Sequence, residues 1–446
     1  MKPQTTPIFS TLLRFALPNM VAMLATALAT IAETSYVGRF GTPALAGMAL
    51  VFPFVMLQTM MSAGAMGGGV SSAISRGLGA GETNRANLLA VHALWIGIAL
   101  GTVFLGVMEL FGPFFLDALG GRGEALTQAL AYAKVSFAGS IFVWIVNTLS
   151  SVIRGSGNMK IPSVTLLALS IAQVLLGGIL GLGWGPIPAF GMGGVAAGSV
   201  LAYAVGAVFL WHHLASGHAR VSLPIHGTRI DPKLLKDILR VGAVACISPF
   251  QTVFTIFVMT RLVAEFGPQA LAGYGIGTRL EFLLVPLAFA IGVASVPMVG
   301  MAMGAGDIKR ARQSAFTAAA LAAALLGMIG LGVILAPDAW TTLFSQDESV
   351  LLSARTYFLW AGPCYALFGL GLSLYFSSLG AGKALGPVLA GTLRLIVVAV
   401  VGFWLASRHA PTWALFALVG LGMAVYGVST LLIVRFTSWQ PKAGTA

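Results

Sequence analysis

Thirteen Asp and Glu residues occur in this chain, and only Glu33, Glu109 and Glu281 fall inside long apolar stretches. An ionisable group surrounded by hydrocarbon is expensive, so each is a candidate for handling a proton or an ion. Glu33, in ALATIAETSYVG, is the strongest. It stands five residues before Gly38, about 8 Å below the end of its helix by the helical rise. Apolar surroundings penalise the charged form of a carboxylate. Such a group can load a proton on one side and release it once water or a cation reaches it. Glu109, in VMELFGPF, lies close enough to the end of its stretch to reach the interface and reads as structural. Arg279 and Glu281 stand nine and eleven residues into another helix, near the bilayer midplane by rise. Two positions apart on a helix they do not face each other, so each needs another partner. Arg394, in TLRLIVV, reaches similar depth from the other side. A Glu281–Arg394 or Glu281–Arg279 network is expected, either as a structural ion pair or as a second coupling or substrate site.

Uncharged polar residues follow the same logic at lower cost. Asn19 precedes Glu33 by fourteen positions, close to four turns, so the two share one helix face about 21 Å apart. Pro18 beside it removes an N–H and crowds the preceding turn, which predicts a bend and a candidate hinge. Gln58, Asn147, Gln173, Gln251 and Arg261 are candidates for lining a substrate path. The methionines of LQTMMSAGAM suit a soft surface for varied ligands or, more simply, lipid-facing packing. Cys246 and Cys364 fit no metal spacing and read as small core residues. No metal set and no cofactor are expected. The GAG turns at 79–81 and 304–306 lack the Lys-Ser/Thr ending and the preceding strand of a phosphate loop. Their glycines let helix ends turn sharply.

The elements that must hold these residues follow from composition. Of 446 residues, 58% are hydrophobic and 9% charged; a soluble domain carries about a quarter charged. That excludes a soluble enzyme, a disordered chain and a disulfide scaffold. Apolar stretches of helical length fall near 11–38, 44–75, 87–113, 126–153, 161–184 and 190–212, and again near 236–264, 270–302, 312–336, 349–379, 386–407 and 412–435. A closed barrel would show weaker, alternating segments of about ten residues, so the class is an all-α integral membrane protein with twelve spans.

The net charge of +12 is spread singly through the gaps, with no basic run interleaved with aromatics, and marks topology rather than nucleic acid. With a cytoplasmic N-terminus, seventeen of the 25 Lys and Arg residues fall on that side, from Lys2 to Lys442. Only Arg39, Arg122 and Arg408 fall opposite. Both termini are therefore expected inside, in a bacterial-type inner (plasma) membrane. MKPQTTPIFS has no cleavable signal pattern.

The longest polar segment, 212–237, divides the chain, and the halves repeat. FGTPALAG at 40–47 returns as FGPQALAG at 266–273, offset by 226. LGAGE at 78–82 returns as MGAGD at 303–307, and RGSGNMKIP at 154–162 as LGAGKALGP at 379–387, both offset by 225. The expected organisation is an N-terminal bundle over 1–215, a cytoplasmic linker over 216–235 and a C-terminal bundle over 236–446. Six spans per half keep both halves in one orientation, as two six-helix bundles related by a pseudo-two-fold axis along the membrane normal. Such a pair encloses a cleft able to open to either side, which is transporter architecture. Pro53, Val55 and Leu169 stand where the second half has Arg279, Glu281 and Arg394, so that charge network belongs to one bundle only.

The segment LRFALPNMVAMLATALATIAETSYVGRFGTPALAG resembles the first helix and outer loop of the multidrug and toxic compound extrusion (MATE) family. GLGAGETNRA, RGSGNMKIP, GWGPIPAFGMGGVAAGS and GYGIGTRLE are similar to it too, over roughly residues 10 to 430. The resemblance implies a secondary antiporter that exports organic, often cationic or amphipathic, compounds against an inward flow of protons or sodium ions. Two departures stand out. The family usually carries aspartate where this chain has Glu33. Where its pattern shows asparagine and then aspartate, this chain has Gln173 and Gly177. Sodium prefers several oxygen ligands, and one carboxylate plus amides is a thin set, so protons are the expected driving ion and sodium the alternative. A lipid or metabolite flippase-type exporter is the other alternative. A major-facilitator carrier would show a basic, acid-containing motif between helices 2 and 3, which RGLGAGETNRA does not resemble. The expected partners are the lipid bilayer, small organic cations or amphipathic drugs and protons, with no nucleic acid, and the expected working unit is a monomer.

Overall fold

A computed structural model describes residues 7–217, 219–224 and 229–440. Lys2, Lys442, the MKPQTT opening and linker positions 218 and 225–228 lie outside the described residues. Among the described residues the chain is helical without a strand. Eleven helices are long and apolar enough to cross a membrane, and a bent pair makes twelve if it counts as one span. They are α1 (Ile8–Phe40), α2 (Thr42–Gly79), α3 (Thr83–Ala118), α4 (Gly123–Ala138 and Ser140–Gly155), α5 (Lys160–Leu182) and α6 (Gly191–Ala215). There follow α7 (Pro232–Ala264), α8 (Pro268–Gly304), α9 (Ile308–Leu335), α10 (Glu348–Gly380), α11 (Leu385–Ser407) and α12 (Thr412–Phe436). Large apolar side chains such as Leu28, Ile31, Leu110 and Phe114 are exposed, as lipid-facing surfaces require.

Two compact units divide the chain. One runs from Leu17 to Ala243; the other takes the chain from Val244 onward with the start of α1 up to Ala16. The linker and the opening of α7 are fastened to the first unit. Asp237 pairs with Arg76 at 2.9 Å and Arg85 at 3.0 Å. The Asn87 side chain accepts from the Ser222 N–H, and buried His92 accepts from the Asp231 N–H at 2.8 Å. Gly69 admits the backbone of Gly242, whose Cα would lie 2.7 Å from a Cβ at position 69.

The repeat is visible in three dimensions. Gly41 and Gly267 both take φ +97°, Gly81 and Gly306 take +82° and +76°, and Gly157 and Gly382 take +87° and +73°. Each follows or precedes a helix end, where a positive φ costs glycine least. Close crossings repeat as well. A Cβ on Gly155 would meet Ile74 and Ser71, and one on Gly380 would meet Val299 and Val296, which are the equivalent positions of the second half.

The step from offset 226 to 225 has a structural cause. Residues Met60–Met66 of α2 form a π-helical turn, which takes up one extra residue. The corresponding α8 is regular helix. α2 has 38 residues and α8 has 37, and Met60 is matched by Pro286, which interrupts the α8 ladder in its own way.

Four features were not expected from the apolar stretches. They are this π turn, the 48° bend between the two segments of α4, the interruption of α7 at Cys246 and the 3-10 turn Gly362–Cys364 in α10. The bend at Gly139 and the turn ending at Cys364 occupy equivalent positions in the two halves.

Candidate functional site

Glu33 is 3% exposed. α1, α5 and α6 bring neutral hydrogen-bonding groups to it. The Ser199 hydroxyl of α6 donates to its Oε1 at 3.2 Å, and the Gln173 side chain of α5 also reaches the carboxylate. Tyr36 on α1, Tyr132 on α4 and Tyr203 on α6 lie close enough to feel its charge. α5 and α6 can approach because Gly198 leaves no Cβ to strike the Gly177 backbone, a small-residue crossing of the kind that brings membrane helices together. Sequence reasoning found Glu33 and Gln173 and missed Ser199 and the tyrosines. Tyr36 was legible, since a residue three positions on shares the helix face of Glu33. Ser199, in a run of small residues, carried no such signal.

A second polar node forms at the π turn. Ser62 donates to the Gln58 carbonyl at 2.7 Å and accepts from the Asn147 amide at 2.8 Å. The Gln58 amide reaches the Ser140 carbonyl at 3.4 Å. Gln58 and Asn147 are thus brought together, but through Ser62 and buried at 3% and 7% exposure, not along an open path.

In the other unit the expected ion pairs give way to a different arrangement. Among the described residues, no ion pair joins Glu281 to Arg279 or Arg394. The Tyr357 hydroxyl of α10 donates to the Glu281 carboxylate instead. Arg394 lies over Phe368 at 5.7 Å and Tyr426 at 5.9 Å, and its buried Nε has no hydrogen-bond partner among the described residues. Arg279 is exposed and stands over Phe344 at 4.9 Å. The reason is angular: two steps along a helix turn a side chain by about 200°, so Arg279 and Glu281 point away from each other.

Other candidates are dispersed. Asn19 is fully buried on α1, and α1 continues as helix from Ile8 to Val37 through Pro18, so any bend there does not break it. The Gln251 amide donates to Thr392 at 2.7 Å and to the Val388 carbonyl at 3.2 Å. Arg261 and Glu109 are exposed; Cys246 and Cys364 are partly buried, and Cys364 packs against the core of the second unit. Among the described residues, no three His, Cys, Asp or Glu side chains converge as a metal set would.

The MatE family model matches residues 18–179 and 245–404. A protein named "FAD transporter" from Shewanella oneidensis is 24% identical over 376 residues, covering 83% of this chain and 82% of that protein. "Probable multidrug resistance protein NorM" from Thermotoga maritima is 23% identical over 447 residues, covering 99% and 95%. A solved structure of a MOP superfamily transporter from Pyrococcus furiosus matches with a TM-score of 0.89 at 21% identity, covering 96% of each chain.

Proposed function

The chain belongs to the MatE family of membrane transporters, and on that premise we propose that it is a secondary active antiporter. It exports organic cations or amphipathic drugs in exchange for inward protons, by alternating access. It works as a monomer in the inner membrane, with both termini in the cytoplasm. The observation that carries this reading is the setting of Glu33: a carboxylate, nearly inaccessible, held among the described residues by the neutral donors Ser199 and Gln173. A buried carboxylate without a basic partner suits a proton, because protonation removes its charge altogether.

Glu33 takes a proton from outside, α1 shifts with Pro18 as its hinge, substrate leaves, and the proton is released inward. One charge moved across 100 mV is worth about 2.3 kcal/mol, and a pH gradient adds to that. Asn19, Gln58, Asn147, Gln173, Gln251 and Arg261 remain the proposed substrate-handling residues. The test is export of a fluorescent cation by everted vesicles carrying Glu33→Gln. Transport loses its dependence on the proton gradient; unchanged dependence sinks the role of Glu33.

A second reading is a metabolite exporter, favoured by the relative named FAD transporter. Competition by FAD against the fluorescent cation separates the two, and imposed sodium gradients test the sodium-coupled version.

A further inference from the structure

We propose that the first unit binds a small monovalent anion, of the size of chloride, where the end of α4 crosses α2. The guanidinium of Arg154 is its principal ligand and the Ser71 hydroxyl its second. This site is separate from Glu33 and does not depend on the role given to that residue.

Arg154 stands in the last turn of α4 and is 3% exposed. Its Nε and Nη1 are buried and have no hydrogen-bond partner among the described residues. The acids at this end of the unit are committed elsewhere: Asp237 pairs with Arg76 and Arg85, and Glu82 pairs with Arg85. Among the described residues no ion pair reaches Arg154. The carbonyls beside it are in use as well. That of Ile153 accepts from the Ser156 N–H and hydroxyl and from the Asn158 N–H, and that of Ser156 accepts from Arg220 at 3.4 Å. A guanidinium carries five N–H donors and does not shed its charge, and a buried charge left unpaired is far more costly than a buried hydroxyl.

A glycine crossing brings Ser71 to the same place. A Cβ on Gly155 would lie 2.9 Å from the Ser71 carbonyl and 3.0 Å from its Cα. Arg154 follows Asn147 by two turns, and Asn147 donates to Ser62 of α2, so Arg154 leaves α4 on the side that α2 covers. The Ser71 hydroxyl is likewise buried without a hydrogen-bond partner among the described residues. Two donor groups meet at one crossing, each short of an acceptor.

The second unit shows that the crossing itself does not need them. A Cβ on Gly380 would meet Val296 and Val299, as one on Gly155 would meet Ser71 and Ile74. There, Leu379 is the repeat equivalent of Arg154 and Val296 that of Ser71, and both are buried. One backbone approach is packed by apolar side chains in one half and by a cation and a hydroxyl in the other. Packing does not account for that difference, whereas an anion satisfies both groups at once.

Charge selects the class of ligand. One positive charge is cancelled by one negative charge, and a divalent oxyanion would leave the interior charged again. A guanidinium this deeply enclosed suits an ion without substituents better than a lipid headgroup. Arg220, exposed and bonded to Ser156 just beyond Arg154, adds a positive approach from the surface.

The test uses the purified full chain, melted in sodium chloride and in sodium gluconate at equal ionic strength, with equilibrium dialysis of radiolabelled chloride beside it. Wild type binds one chloride per chain, and its melting temperature climbs with chloride concentration, as linkage requires. Arg154→Leu installs the residue of the second unit; it folds, binds no chloride and melts alike in both salts. Ser71→Val weakens chloride binding about tenfold, the scale of one hydrogen bond to a charged group. Wild type that binds no chloride and melts alike in both salts overturns the proposal, as does Arg154→Leu that binds chloride like wild type. Inorganic phosphate or phosphatidylglycerol vesicles that raise the melting temperature where chloride does not also overturn it, by giving the guanidinium a different partner. Should Arg154→Leu not fold, an unchanged chloride affinity in Ser71→Val overturns it alone.

Discussion

The two halves of this molecule share a scaffold and differ in the polar groups they place inside it. Tyr132 and Tyr357 occupy equivalent positions of the repeat, yet differ in what they bind. Tyr357 donates directly to Glu281, within the same unit as the aromatic pair around Arg394. Among the described residues, Tyr132 makes no hydrogen bond to Glu33, which Ser199 holds instead. The place of Glu33 is Met259 in the second unit, and the place of Glu281 is Val55 in the first. Duplication therefore preserved the backbone crossings and left each half free to place an intramembrane acid on a different helix, Glu33 buried and Glu281 partly exposed. The acid held by neutral donors suits reversible protonation. The acid locked onto a buried tyrosine near a cation suits a structural role.

That contrast predicts a sharp asymmetry. Glu33→Gln lowers proton-driven export by about a hundredfold, the scale of losing a positioned proton carrier, with little change in melting. Glu281→Gln does the reverse: coupling persists, and the loss of the charge-assisted bond from Tyr357 costs about 1–3 kcal/mol in stability. Parallel vesicle assays and thermal melts check both. Equal effects from the two substitutions would erase the proposed division of labour.

Gly198→Ala strikes at the crossing that supports only the Glu33 site. Its new Cβ would overlap the Gly177 backbone, where nothing flexible can yield, and about 3 kcal/mol of destabilisation follows. Melting temperature reports it, and an unchanged value would mean that α5 and α6 separate without penalty.

A smaller effect is expected at the π turn. Ser62→Ala strands the Asn147 amide and costs about 1–2 kcal/mol, with a measurable fall in export rate and no change in ion dependence. Deleting Ala63 removes the extra residue and aligns α2 with α8. If the turn positions Gln58 and Asn147, the shortened chain is inserted in the membrane and exports more slowly than Ser62→Ala does.

The smallest effects test the repeat itself. Gly41→Ala and Gly267→Ala each force a residue with a Cβ into a positive φ with extended ψ, a region essentially reserved for glycine, at about 1 kcal/mol apiece, the lower end for such strain. The two should match within error in a melt, because the same turn recurs with φ +97° at both.

Much of this architecture was legible in the chain. Apolar length located all twelve spans, and the motifs at 40–47 and 266–273 exposed the repeat. Even the π turn left a trace, since the offset drops by one between the first and second motifs, although an offset alone does not say where the extra residue sits. Glu33 stands out in the sequence by the cost of its position, and the structure buries it. Its pairing with Gln173 and Ser199 was not legible, because spacing reveals neighbours on one helix while these come from two others, through a crossing fixed by Gly177 and Gly198. The pairing of Glu281 failed for a related reason. Opposite charges at similar depth predicted an ion pair, whereas aromatic faces of Phe368 and Tyr426 took Arg394 and a tyrosine took the acid.

The most direct test of this division is the proton signal itself. Purified wild type, Glu33→Gln and Glu281→Gln, lightly buffered with a pH-sensitive dye, are mixed with a transported organic cation. Substrate binding should release protons from the wild type and from Glu281→Gln alike, and none from Glu33→Gln. Proton release that survives Glu33→Gln, or that disappears in a folded Glu281→Gln protein, would contradict the assignment of coupling to the first unit.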